Sequence, residues 1–193
     1  MEKNSIYIHQ DLIISCKNGN HKAFRDLYML YAKSMFNIAF RILKNKDEAE
    51  DIIQEAFIKA YNKMDQFDFQ ATFGAWMKKI VVNQALDYLR KESKWQMDDI
   101  EDENIKDEKD IDWEDIDLKV DLVKKAILNL PTGFRAVASL YLFEGYEHKE
   151  IAEILSISKN TSKSQFHRAK KKIKEFIKHY EEGNRQTGAI YQG

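Results

Sequence analysis

Breakers of regular structure are almost absent, with one proline and seven glycines in 193 residues. A fold of many short strands needs turn residues roughly every 8–12 positions. This chain does not supply them, so a many-stranded β fold is excluded. Cysteine is nearly missing too. Cys16 stands alone, which rules out an internal disulfide framework and fits a reducing compartment. It lies in the apolar run Leu12, Ile13, Ile14, Cys16 and reads as a small buried hydrophobe rather than a reactive thiol. No stretch approaches the roughly 20 apolar residues that span a bilayer. None follows Met1-Glu2-Lys3-Asn4-Ser5 as a leader would require. The expectation is a cytoplasmic chain with no membrane insertion. His9, His21, His148, His167 and His179 show no metal-ligand spacing, and glycine-rich phosphate loops are lacking. No cofactor, metal site or catalytic constellation is expected. The net charge of −1 excludes a uniformly basic coat.

Apolar residues at 44% and aromatics at 12% are enough for packed cores, and 33% charged residues suit solvated amphipathic helices. The expected class is all-α, with two small helical domains joined by an acidic flexible linker. In residues 10–91, Ala23, Leu27, Leu30, Tyr31, Met35, Ile38, Ala39 and Ile42 step by three and four along one helix face. A second helix opens on Asp47, Glu48, Glu50 and Asp51, where a helix N-terminus favours acids. Its apolar stripe runs Ala49, Ile52, Ile53, Ala56, Phe57, Ala60, Tyr61. A turn from Asp65 to Gln70 precedes a third helix, capped by Thr72 and running to about Lys91.

Residues 92–117 change character, holding thirteen acids against three lysines, a net of −10. Like-charge repulsion disfavours a packed core there, so this stretch reads as the linker. The competing view is a solvated helical extension carrying Trp95 and Trp113. Residues 118–182 are helical again. A short helix ends before Pro131, another is stopped by Gly145, and the tail from Gly183 is expected to fray.

The chemistry concentrates between His148 and Arg168. A short helix turns Ile151, Ala152 and Leu155 inward, Ile157 plugs a tight break, and Ser158 caps the helix that follows. That spacing is a helix-turn-helix, whose second helix enters the major groove. From Lys159 to Tyr180 there are eight Lys and Arg against one acid, a net of +7 that would neutralise phosphates. Asn160, Thr161, Ser162, Lys163 and Gln165 stand at the helix start, where base edges are read, while Lys163, Arg168, Lys171 and Lys172 are placed as phosphate anchors. An αα-hairpin with a solvated basic face would give the same local pattern.

Three motifs in order remove that ambiguity. Glu48-Ala49-Glu50-Asp51-Ile52-Ile53-Gln54-Glu55-Ala56-Phe57 resembles the acidic helix of bacterial sigma factors. Phe73-Gly74-Ala75-Trp76 with Asn83-Gln84-Ala85-Leu86-Asp87-Tyr88-Leu89-Arg90 is similar to the helix that follows it in that family. The stretch from His148 to Arg168 is similar to its promoter reader. The compact layout resembles the extracytoplasmic-function (ECF) group. The resemblance implies a sigma factor that binds core RNA polymerase, through its β′ and β subunits, and promoter DNA. An anti-sigma factor is a further candidate partner. Residues 10–91 would bind polymerase and recognise and melt the −10 element, and residues 118–182 would recognise the −35 element.

By the same resemblance Asp47, Glu50, Asp51, Gln54 and Glu55 would dock on a coiled coil of β′. Phe69 and Gln70 would capture a flipped −10 base. Lys78, Lys79, Asn83, Asp87 and Arg90 would face the opened strand. Trp76, at helical spacing with Phe73 and Ile80, reads as core rather than as a stacking platform. Two positions depart from the family: Ser162 replaces a usual Val, and Gln165 replaces a usual Arg. Gln can pair bidentately with adenine where Arg prefers guanine, which leaves the −35 sequence preference open. The rivals explain less. A stand-alone helix-turn-helix regulator leaves the acidic helix without a role, an anti-sigma-type module would lack the basic reader, and a helical enzyme has no site.

Overall fold

The computed structural model describes residues 9–92 and 120–190, with side chains through 182. The chain divides into two compact units, Met1–Ser93 and Lys94–Gly193, and no strand occurs among the described residues. No helix among them is long and apolar enough to cross a membrane. The acidic segment from 93 to 117, with Trp95 and Trp113, lies outside the described residues.

The first unit contains α1 (Gln10–Lys17), α2 (His21–Leu43), α3 (Lys46–Asn62), a 3₁₀ turn (Met64–Gln66) and α4 (Phe73–Lys91). Each long helix begins where a side chain satisfies otherwise orphaned amides. Asn20 accepts from the amides of Lys22 and Ala23, Asn45 from those of Asp47 and Glu48, and Thr72 from that of Ala75. Helices α2, α3 and α4 pack on one another around Leu27, Ile42, Phe57, Met77, Val81 and Leu86, all buried. Each such apolar side chain contributes about 1.5–3 kcal/mol by leaving water. Fully buried Ala39, Ala49, Ala56, Ala60 and Ala85 stand on these helices, where large side chains would hold the axes apart. Gly74 answers a tighter constraint, since a Cβ there would sit 3.1 Å from the Tyr31 ring. One expectation is corrected. Leu30 is 52% exposed, because it lies about 100° round the helix from Tyr31, off the buried row.

The second unit contains α5 (Val120–Leu128), α6 (Thr132–Leu142), α7 (His148–Leu155) and α8 (Lys159–Ile190). Pro131 opens α6, and the buried Arg135 donates from Nη1 to the Leu130 carbonyl at 2.9 Å, tying that helix to the turn before it. Ala126, Ile127, Leu130, Phe134 and Ala138 close over Ala169, Ile173 and Ile177 of α8. Helix α8 continues to Ile190, past residue 182 where the tail was expected to fray. Ile157 is half-buried rather than a fully enclosed plug.

Candidate nucleic-acid interface

The turn between α7 and α8 follows from three local features. The Glu147 amide donates to Glu150 Oε2 at 2.8 Å and fixes the start of α7. Ser156 takes the left-handed conformation (φ 58°) that ends it. Ser158 Oγ accepts the Thr161 amide at 2.9 Å and starts α8. Helix α8 then buries one row: Ser162, Gln165, Phe166, Ala169, Ile173 and Ile177. This row sets which residues face outward. Asn160, Lys163, Lys171 and Lys172 are exposed, and Thr161 and Arg168 are half-buried.

Ser162 and Gln165 are the correction. Both are buried, at 0% and 1% exposure, because their positions project back along the Phe166–Ala169–Ile173 row at helical spacing. Neither presents its side chain to a base edge in this conformation. Ser162 Oγ instead lies 2.9 Å from His148 Nδ1. The Gln165 amide is enclosed with no hydrogen-bond partner for either polar atom.

His148 is a residue that motif reading passed over. Its ring stacks on Tyr141 of α6 (centroids 4.7 Å apart, 19° between planes) and lies 5.6 Å from the Phe166 ring of α8, so three helices meet at it. Burial first, and then Lys163, Lys159 and Lys170, push its pKa below the usual 6.5. The unfolded chain therefore binds the proton more readily than the folded one. Stability from this group is fully present above about pH 6.5 and declines as pH falls through the depressed folded value. The thermal midpoint of the second unit is expected to fall on acidification below pH 6.5, and His148→Gln should flatten that part of the profile. An equal slope in wild type and variant would exclude His148 as the cause.

In the first unit, α3 turns Ala49, Ile52, Ile53, Ala56, Phe57 and Ala60 inward. Asp47, Glu50, Asp51, Gln54 and Glu55 are all exposed. Among the described residues, only weak contacts restrain these acids. Lys46 Nζ lies 3.5 Å from Glu50, and Gln84 Nε2 donates to Glu55 at 3.5 Å. On α4, Lys79, Asn83, Asp87 and Arg90 form one exposed row, with Arg90 paired to Asp87 at 3.0 Å. Lys78 is half-buried and sits about 100° off that row.

The loop before α4 is held from a distance. Lys17 Nζ donates to the Phe67 carbonyl at 2.6 Å and lies 5.3 Å from the centre of the Phe69 ring. Phe69 has φ 60°, costly for a residue with a Cβ, and its half-buried ring packs 4.9 Å from that of Phe67. Gln70 is exposed, its backbone N–H donating to Asp68 Oδ1 at 3.1 Å. Trp76 is half-buried rather than core, resting on Phe67 and Phe73 at 5.4 and 5.7 Å. Nothing in the sequence marks Lys17, which stands 50 residues from its acceptor.

Comparison with known proteins gives these surfaces a context. Residues 27–94 match sigma-70 region 2 and residues 121–173 match sigma-70 region 4, together more than half of the chain. The ECF RNA polymerase sigma factor SigW of Bacillus subtilis (strain 168) is 32% identical over 176 residues, covering 84% of this chain and 92% of that protein. The ECF RNA polymerase sigma-E factor of Escherichia coli (strain K12) is 32% identical over 175 residues, covering 85% and 91%. A solved structure of the sigma factor RpoE from Bartonella quintana, in complex with the anti-sigma factor NepR, matches in fold. Its TM-score is 0.54 at 23% identity, over 81% of this chain and 98% of that one. With both family regions in order and these relatives aligned along most of their length, the chain belongs to the sigma-70 family of RNA polymerase sigma factors, in its ECF group.

Proposed function

We propose that this sigma factor, which directs promoter-specific initiation, divides the task between its two units. The exposed acids of α3, Asp47, Glu50, Asp51 and Glu55 with Gln54, dock on a basic coiled coil of the polymerase β′ subunit. The α4 row and the Phe69–Gln70 loop engage the −10 element as it melts. Asn160, Lys163, Lys171 and Lys172 of α8 hold the −35 duplex, with Thr161 and Arg168 at the edge of that surface. The acidic segment from 92 to 117 follows a cationic path in the polymerase, imitating nucleic acid. The chain works in the cytoplasm, and an anti-sigma factor is a fitting inhibitor, as one is bound to the Bartonella relative in its solved structure.

The observation that carries this reading is the segregation of charge by helix. The outward face of α3 is anionic, whereas α8 carries eight Lys and Arg against one acid between Lys159 and Tyr180. An anionic face suits a protein partner with basic groups, and a cationic helix at a helix-turn-helix suits duplex phosphate. Run-off transcription with purified core polymerase over a promoter library is the test. Initiation from a defined subset of promoters is expected. Promoter binding by the chain alone, with no gain on adding core, would overturn the scheme in favour of a stand-alone regulator.

A further inference from the structure

Lys17 closes α1, a helix that ends before residue 27, where the match to sigma-70 region 2 begins. Its backbone is fixed. Ile13 and Cys16 anchor the helix in the core. Beyond it the amides of Asn18, Gly19 and Asn20 donate to the Ile14, Cys16 and Ser15 carbonyls at 3.1, 2.9 and 3.1 Å. A lysine in the last turn of a helix commonly serves that helix's own final carbonyls. This one reaches another element. Its ammonium group donates to the Phe67 carbonyl at 2.6 Å, lies 3.5 Å from that of Asp65, and stands 5.3 Å over the centre of the Phe69 ring. Among the described residues it meets no carboxylate.

What this side chain holds gives it its meaning. The loop 67–72 is secured at its far end by Thr72 Oγ1, which accepts the Ala75 amide, and in its middle by Asp68 Oδ1, which accepts the Gln70 N–H. Between these bonds Phe69 stands at φ 60°, a left-handed conformation that a residue with a Cβ leaves unless its surroundings hold it. Lys17 supplies the hold on the near side. Its N–H fixes the Phe67 carbonyl, and its charge attracts the face of the Phe69 ring. We infer that Lys17 is a positioning residue for promoter recognition, keeping the Phe69–Gln70 loop in its base-receiving shape before DNA arrives. The inference rests on the proposed −10 role of that loop and adds to it a residue from outside the stretch matched to region 2. Because its ammonium group is engaged by main-chain oxygen and ring, Lys17 acts through Phe69 rather than on a phosphate. A loop shaped in advance loses less conformational freedom on binding, and the difference appears as affinity.

The test uses holoenzyme assembled from the full chain and core polymerase. The probe is the single-stranded non-template −10 segment of a promoter identified by run-off, intact or with one nucleotide at a time made abasic. With wild type, one position is expected to lose about tenfold in affinity when its base is removed. Lys17→Met keeps the apolar stem and removes the donor and the charge. It should bind the intact strand about tenfold more weakly, and the base-removal penalty at that position should shrink to about twofold. Lys17→Arg, which retains donors and charge, should recover most of both. Circular dichroism and core binding should match wild type in the two variants. The slope of log affinity against log salt should hold in Lys17→Met, whereas one lost single-strand phosphate contact would make it shallower by about 0.7. A base-removal penalty equal in wild type and Lys17→Met at every position overturns the inference. So does a slope shallower by that amount, which would make Lys17 a phosphate ligand. Loss of folding or core binding in Lys17→Met also overturns it, since a purely structural role would then suffice. Should no position show a base-removal penalty in wild type, the proposed capture of a −10 base falls, and the inference with it.

Discussion

Glu50→Lys combined with Asp51→Lys is expected to abolish binding to core polymerase while the protein remains folded. Both side chains are exposed on α3, one turn from the cap Asn45, and neither contributes to the apolar row behind them. Among the described residues their one restraint is the exposed pair of Lys46 with Glu50, worth about 0.5 kcal/mol or less. Replacing two carboxylates with two ammonium groups changes the local charge by four. Against a basic partner surface, like-charge juxtaposition costs several kcal/mol, so affinity should fall by more than about 100-fold. Circular dichroism should be unchanged, and the thermal midpoint should move by no more than a few degrees. A folded double variant that still binds core at wild-type affinity would remove α3 from the interface.

The second large effect is expected at the other end. Lys163, Lys171 and Lys172 are exposed on α8, and none supports the buried row Phe166–Ala169–Ile173. Changing all three to alanine removes up to three phosphate contacts. Each duplex phosphate neutralised adds about 0.9 to the slope of log affinity against log salt. The triple variant should therefore show a slope shallower by about 2.7, and a loss of roughly 100- to 1,000-fold at 0.1 M salt. Measured on promoter duplex with holoenzyme, the loss should be similar across sequences, because phosphate contacts position without specifying. A slope equal to wild type would place the duplex elsewhere.

Much of this architecture was legible in the residues, for reasons that are local. Thr72 and Ser158 announce helix starts because a side-chain oxygen can reach an orphan amide two or three positions on, and both make those bonds. The alternation along α3 placed its acids outward because a stripe of Ala49, Ile52, Ile53 and Ala56 permits only one inward face. Ser162 and Gln165 were misplaced because position within a motif was allowed to outrank helical phase. Counting back from Ile173 and Ala169 by three and four lands on both. Leu30 shows the reverse error, an apolar side chain taken as inward on identity alone when its phase points out.

Other features had no local signal at all. Lys17 reaches the Phe67 carbonyl across 50 residues of sequence. Such a proximity arises from how α1 packs on α2 and the 3₁₀ turn, which periodicity does not encode. His148 looked like an ordinary polar residue at a helix start. Its partner Ser162 stands 14 positions later, on another helix.

The fixed phase of α8 limits how the DNA-facing helix can diversify. Because its inner row is locked from Ser162 to Ile177, adding or deleting one residue within that row would swing the lysines beyond the change by about 100° relative to the part before it and bury some of them. Under the proposed −35 role, descendants of this chain acquire new promoter preferences by exchanging the letter at Asn160, but not by changing the spelling's length.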